Sequence, residues 1–231
     1  MAEPPGQRGM RLAPAREERA ALRRASRSLA FPERVHLLVR LASVPWGRVL
    51  PAFEREGALV DFGCGPGLLA HLLARAGFEG RYVGLDPDPR KIGRARRWLS
   101  EAGPRRFAVG SVEGAAEFAY AQAALIDVLY LVPPSERASF VARAARSLAP
   151  GGLVVGLTSG GGPRWKRRVD AAQERLAVAL GITRGGAVAI CDGAEIAGLL
   201  RGAGFEGVAV ADVGAGYVHG FELVTGRKPP A

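Results

Sequence analysis

Residues 58–77 read ALVDFGCGPGLLAHLLARAG, and this stretch decides the fold. It opens with a short apolar run, turns on Gly63, Gly65 and Gly67, and closes in an amphipathic pattern. The order is a buried strand, a glycine turn and a helix. Glycine lowers order unless the backbone must be bare or must take a conformation that side chains resist. Three of them between a strand and a helix therefore point to a ligand lying almost on the main chain.

The same alternation continues outward. Apolar runs predict strands at 58–62, 81–86, 106–110, 123–128 and 153–158, with helices near 67–76, 88–101, 113–119 and 135–148 between them. Further helices are expected at 165–180 and 192–203, and the chain closes in two strands, 205–212 and 217–225, joined by a Gly-rich turn. Strands that alternate with helices imply a doubly wound α/β sheet, mostly parallel and covered on both faces. The closing hairpin adds an antiparallel strand and brings the count to seven. Before this domain, which begins near residue 46, helical spacing over 15–30 and 32–44 predicts N-terminal helices, with Pro45 as a stop. Residues 1–14, rich in Pro, Gly and Arg, are expected to be disordered.

In such a sheet ligands bind at the carboxyl ends of the strands, where strand order reverses. A dinucleotide site would require Gly-x-Gly-x-x-Gly at the first turn. Here the third glycine comes one residue early, Leu68 holds the dinucleotide position, and Asp61 precedes the turn. These departures favour a ligand without a pyrophosphate but with a cationic or amine-bearing part. The second strand ends in Leu85-Asp86-Pro87, and a carboxylate there can accept both hydroxyls of a ribose. The residues ask for a nucleoside linked to something other than phosphate.

At this point the chain resembles the class I S-adenosylmethionine-dependent methyltransferases. VDFGCGPG is similar to the family's first motif, and GLDPDPRKIGRARRWL to its ribose-binding strand and helix. SLAPGGLVVGLTS resembles the Pro-Gly-Gly turn into the fifth strand, and AGFEGVAVADVGAGYVHGFELVTGRKP the closing hairpin. The resemblance covers roughly residues 46–228 and implies a Rossmann-like fold with S-adenosyl-L-methionine as cofactor. It implies that Gly63, Cys64, Gly65 and Gly67 lie against the methionine part, that Asp61 orients the turn or the cofactor's ammonium, and that Asp86, with Pro87 beside it, holds the ribose. After the third strand the family commonly has Gly-Asp-Ala. Here Gly110-Ser111-Val112 stands in its place, so the adenine contact falls to Ser111 and Val112, with Glu113 as a substitute carboxylate.

Asp127, Tyr130 and His219 are the candidate catalytic residues. Asp127 ends an apolar run at the rim of the sheet, where it either caps the next turn or meets cofactor or acceptor. Tyr130 follows it, and His219 follows the last Gly-rich turn, on the cofactor side of this topology. Trp165 and Lys166, in GGGPRWKRRVDAAQERL after strand five, are candidates for walling the acceptor pocket. A solvated basic helix face is the alternative.

Composition narrows the function classes. The chain carries 29 Arg against 3 Lys and a net charge of +10, which a GC-rich genome accounts for in part and an anionic partner in the remainder. No apolar run of about 18 residues is present, the N-terminus lacks a signal-peptide centre, and the two cysteines form no metal-type pair. A cytoplasmic location and no bound metal are expected. The leading reading is a methyltransferase with a small-molecule or lipid-like acceptor, anionic if the basic residues serve it, methylated at oxygen or carbon, with residues 15–45 as a helical lid. An RNA methyltransferase is the runner-up, and a noncatalytic cofactor-binding protein the third reading. Against RNA, Val132-Pro133-Pro134-Ser135 lacks both ends of the Asn/Asp-Pro-Pro-aromatic motif.

Overall fold

The computed structural model describes residue 10 and residues 12–13, 15–99, 104–115, 118–159 and 191–231. Three helices come first: α1 (Ala15–Ala25), α2 (Phe31–Ser43) and the short α3 (Trp46–Val49). The alternating domain follows as β1 (Leu59–Phe62), α4 (Leu68–Arg75), β2 (Tyr82–Asp86), α5 (Pro89–Trp98), β3 (Arg105–Val109) and β4 (Tyr120–Ile126). It continues with α6 (Pro134–Ser147), β5 (Leu148–Ser159), α7 (Gly193–Gly202), β6 (Glu206–Asp212) and β7 (Phe221–Arg227).

The strands form one sheet in the order β3-β2-β1-β4-β5-β7-β6. Strands β1 to β5 pair parallel, and β7 is antiparallel to both neighbours. This is the mostly parallel seven-stranded sheet expected from the alternation. Its order reverses between β1 and β4, which places the ligand crevice beside the glycine turn.

Local chemistry sets the helix ends. Asp88 caps α5 by accepting the Arg90 N–H at 2.8 Å, and Asp192 caps α7 by accepting the Glu195 N–H at 2.9 Å. Helix α4 ends at Gly77, whose φ is +92°, with Phe78 N–H donating to the Leu73 carbonyl and Gly77 N–H to that of Ala74. That pairing is the glycine C-cap of a helix. Where a helix was expected over 113–119, the described residues show a 3₁₀ turn, Val112–Ala115. Gly114 sits inside that short stretch and disfavours a longer helix. The expected helix at 165–180, with Trp165 and Lys166, lies outside the described residues.

Two apolar layers cover the sheet. On one face, Leu68, Leu72 and Trp98 pack with Leu22, Leu37 and Trp46 of the N-terminal helices. On the other, Val141, Ala144, Ile196 and Leu200 of α6 and α7 cover Val60, Ala123 and Val154. The N-terminal helices thus share the core of one face instead of standing apart from it. Met10 is buried in that layer and Leu12 packs against it, so contact with the core begins before residue 15. Ion pairs reinforce the docking: Arg75 of α4 grips the buried Glu18 through two bonds of 2.6 and 3.0 Å, and Glu33 of α2 accepts from Arg94 of α5 at 2.6 Å.

Candidate active site

The turn after β1 is held down from β2. Gly63 and Cys64 N–H both donate to the Leu85 carbonyl, at 2.8 and 3.0 Å, and Gly65 N–H donates to Asp86 Oδ2 at 3.0 Å. Gly63, Gly65 and Gly67 have φ of +74°, +56° and +85°, a region that favours glycine. Their surroundings differ. A Cβ on Gly63 would stand 2.7 Å from Val128, and one on Gly67 would stand 2.6 Å from Leu99, so both are packed from the protein side. A Cβ on Gly65 would meet nothing within 4 Å. The middle glycine alone turns its bare face to open space.

Asp86 is buried at the carboxyl end of β2 and does more than the sequence implied. Besides Gly65, it accepts from Asp88 N–H through Oδ1 at 2.9 Å, and Lys91 Nζ stands 3.7 Å from Oδ2. The carboxylate therefore clips the glycine turn to β2, and each oxygen keeps further lone-pair capacity for a hydroxyl. Pro87 is exposed beside it. Gly110 N–H donates to the Asp86 carbonyl at 3.2 Å, which brings Ser111 to the same edge, while Val112 is buried in the second apolar layer.

Asp61 lies beneath the turn, 2% exposed, and accepts a hydrogen bond from the Tyr82 hydroxyl. Burial pushes its carboxyl up to about 7; the Tyr82 hydroxyl works against this and the neighbouring Asp86 charge adds to it. Burial likewise raises the Cys64 thiol, with Asp61 and Asp86 adding to the effect. Cys64 is thus a packing residue of the turn, pressed against β2 at Gly84, and is no nucleophile at neutral pH.

The opposite side of the crevice is formed by the ends of β4, β5 and β7. Asp127 directly follows β4 and has φ +50°, the only positive φ at a non-glycine residue among the described residues. Its N–H donates to the Leu157 carbonyl at 2.9 Å. Oδ2 accepts from Arg40 Nη2 of α2 at 2.8 Å, whereas Oδ1 is buried with no donor among the described residues. A strained backbone costs about 1–3 kcal/mol, and a buried acceptor left unpaired costs about 1–3 kcal/mol. Two such costs at one residue mark a place built for something other than stability.

Tyr130 lies on the 3₁₀ turn Leu129–Leu131 immediately after Asp127. The buried Arg137 of α6 braces that turn, donating through Nε to the Leu129 and Val132 carbonyls at 3.1 Å. His219 is half-buried in the β6–β7 loop, its ring edge-on to Phe221. Phe221 pairs with Ser159 at the carboxyl end of β5, which puts this loop on the crevice side. Arg48 of α3 fastens the same loop through the Val213 and Ala215 carbonyls, at 2.7 and 2.6 Å.

Sequence reading missed Arg40, Tyr82, Arg48 and Arg137. None carries a motif; each is found only through what it touches. His71 of α4 is buried, set against Trp98 with Nε2 unpaired among the described residues. A hollow of about 1310 Å³, lined by Glu54, Arg55, Gly151 and Lys228 among others, lies at the amino ends of the strands. That edge is away from the turn and carries none of these groups. Among the described residues no group of His, Cys, Asp and Glu is arranged to hold a metal ion, and no helix is long and apolar enough to cross a membrane.

Residues 33–210 match the family model described as a methyltransferase domain. The chain belongs to that family. This methyltransferase domain is 35% identical over 101 residues to a ubiquinone biosynthesis O-methyltransferase from Methylobacterium sp. (strain 4-46), covering 43% of this chain and 40% of that one. It is 37% identical over 99 residues to a trans-aconitate 2-methyltransferase from Methylobacterium nodulans, covering 42% and 36%. The aligned stretch is thus about two-fifths of the length of these curated relatives. Human N-acetylserotonin methyltransferase, solved in complex with SAM, shares the fold of the methyltransferase domain. It superposes with a TM-score of 0.65 at 19% identity over 94% of this chain and 60% of that one.

Proposed function

We propose that the protein is an S-adenosyl-L-methionine-dependent methyltransferase acting on a small-molecule or lipid-like acceptor, with oxygen favoured over carbon. The observation that carries this reading is the turn itself. Three positive-φ glycines sit at the switch point of the sheet, the middle one faces open space, and a buried carboxylate ties it to β2. That cradle suits a nucleoside whose linker presses on bare backbone. Asp86 would take the ribose hydroxyls, Ser111 and Val112 the adenine edge, and Gly63 to Gly67 the linker. Asp61 would steady the turn beneath the ammonium.

The bound cofactor supplies a methyl group on a sulfonium, ready for in-line displacement. An acceptor that carries a proton would then need a base among this chain's own residues. The chain contributes alignment and exclusion of water. Asp127, Tyr130 and His219 are the candidates to receive that proton, and Trp165 and Lys166 remain candidates for the acceptor wall. Helices α1 and α2, docked over α4 and α5, would serve as the lid. The name of the first relative supports an oxygen acceptor, and the basic residues support an anionic one.

Isothermal titration with S-adenosylmethionine, S-adenosylhomocysteine, NAD and NADP tests the class. Micromolar binding of the first two and none of the last two is expected. Preference for NAD or NADP, or no binding of S-adenosylhomocysteine, refutes it.

A further inference from the structure

The outer faces of α1 and α2 carry different kinds of side chain, and among the described residues nothing covers them. Leu22 of α1 and Leu37 of α2 both point into the apolar layer over α4, so the far side of each helix faces away from the sheet. On α2 the exposed residues are Phe31, Pro32, Val35, His36, Val39 and Ala42, with no Lys, Arg, Asp or Glu among them. Phe31, Val35 and Val39 follow at four-residue steps, which makes one row along the helix, and they are 75%, 40% and 56% exposed. The free face of a docked helix is normally its charged one. Here it is apolar, and a contiguous exposed apolar patch marks a surface that meets something.

The charge stands next door. Arg16, Arg19, Arg23, Arg24 and Arg27 are exposed on α1 and the turn after it, and Glu17 is the one exposed acid over residues 15–28. Residues 16, 19, 23 and 27 are three or four apart, again a single row. Among the described residues none of these arginines is held in a salt bridge: Glu18 is taken by Arg75, and Glu33 by Arg94 and Arg97. A nucleic acid would satisfy the arginines and leave the Phe31 row in water. A second copy of the chain would cover that row but meet its own positive charge. A bilayer with anionic lipids answers both rows, since phosphates accept from guanidiniums and apolar side chains enter the boundary between headgroups and acyl chains.

We propose that the outer faces of α1 and α2 dock the protein on an anionic lipid surface. The docked face adjoins the crevice, because Arg40, next to Val39, reaches Asp127 at the end of β4 at 2.8 Å. Leu131 and Val218, exposed in the loops after β4 and β6, continue the apolar character along the same rim. A lipid-like acceptor then passes from bilayer to crevice without crossing water. That consequence extends the acceptor class proposed above, whereas the docking itself does not rest on the cofactor reading.

The test is co-sedimentation of the full chain with vesicles of phosphatidylcholine alone, or with roughly a third of the lipid as phosphatidylglycerol, and it contains no cofactor. Wild type should bind the anionic vesicles, more weakly as salt rises, and bind phosphatidylcholine poorly. Phe31→Gln/Val35→Gln/Val39→Gln and Arg19→Gln/Arg23→Gln/Arg27→Gln should each bind the anionic vesicles about tenfold more weakly or worse. All six side chains are exposed, so Tm should stay close to that of wild type. A wild-type protein that stays in the supernatant overturns the docking. So does full binding by the Phe31 variant, which would mean adsorption by charge alone. Light scattering that shows a wild-type dimer, lost in the Phe31 variant, would assign the face to a second copy instead.

Discussion

Gly65→Ala separates a glycine kept for a ligand from glycines kept for the fold. The added methyl meets nothing within 4 Å, so its cost to folding is only that of holding alanine at φ +56°. A left-handed conformation costs a non-glycine residue about 1–2 kcal/mol. For a domain of this size each kcal/mol lowers Tm by about 2–4 °C, which predicts a fall of roughly 2–8 °C. The same methyl stands where the ligand should pass, and displacing it should weaken binding more than tenfold, or about 1.4 kcal/mol and upward. Gly77→Ala is the control: its φ is +92° and its Cβ would stand at an ordinary 3.5 Å from Arg55, so strain at the α4 cap lowers Tm while the crevice is untouched. Gly67→Ala should be the most damaging to stability, because it adds a 2.6 Å clash with Leu99 to the strain. Differential scanning fluorimetry gives Tm, and titration with S-adenosylhomocysteine gives affinity. Normal binding by Gly65→Ala together with lost binding by Gly77→Ala would refute the assignment of the turn.

Asp86→Ala removes a charged acceptor for the ribose and also releases the Gly65 N–H, so affinity for S-adenosylhomocysteine should drop at least tenfold, since each hydrogen bond to a charged group contributes about 1.5–3 kcal/mol. Unchanged affinity in a folded variant would remove Asp86 from the site. Burial, with Arg75 adding, lowers the His71 imidazole to about 4 from an unfolded value of 6.5, so the unfolded chain binds the proton first and His71 costs stability as pH falls through that window. By pH 5 this amounts to about 2 kcal/mol. Asp61, raised from 3.8 to about 7, has the opposite sign over an overlapping range and gains stability as pH falls. Urea denaturation at pH 7 and pH 5 should therefore show His71→Leu gaining about 2 kcal/mol relative to wild type on acidification, and parallel behaviour of the two proteins would count against a buried neutral His71. If the +10 charge reflects composition alone, transfer RNA should not bind with micromolar affinity at physiological salt; tight, salt-steep binding with methyl incorporation would favour an RNA substrate.

Much of this protein follows from local sequence. The glycine turn and the helix cap at Gly77 are legible because positive φ leaves a mark in residue type: few residues other than glycine tolerate it. The strands are legible because a parallel sheet buried on both faces demands continuous apolar runs, and Val60 and Phe62 of β1 are buried as that rule requires. Asp86 could be expected at the carboxyl end of the second strand, where it lies, because that position falls at a fixed distance from the turn. The tertiary structure alone decided what stands across the crevice. Asp127 has positive φ without being glycine, and its partner Arg40 is 87 residues away in a helix whose spacing speaks only of packing. Asp61 meets Tyr82 because β1 pairs with β2, and Arg48 reaches the β6–β7 loop because β7 inserts between β5 and β6. Periodicity and turn chemistry act over a few residues and are written locally. A salt bridge or a buried carboxylate acts through space, and only strand order and helix docking bring its members together.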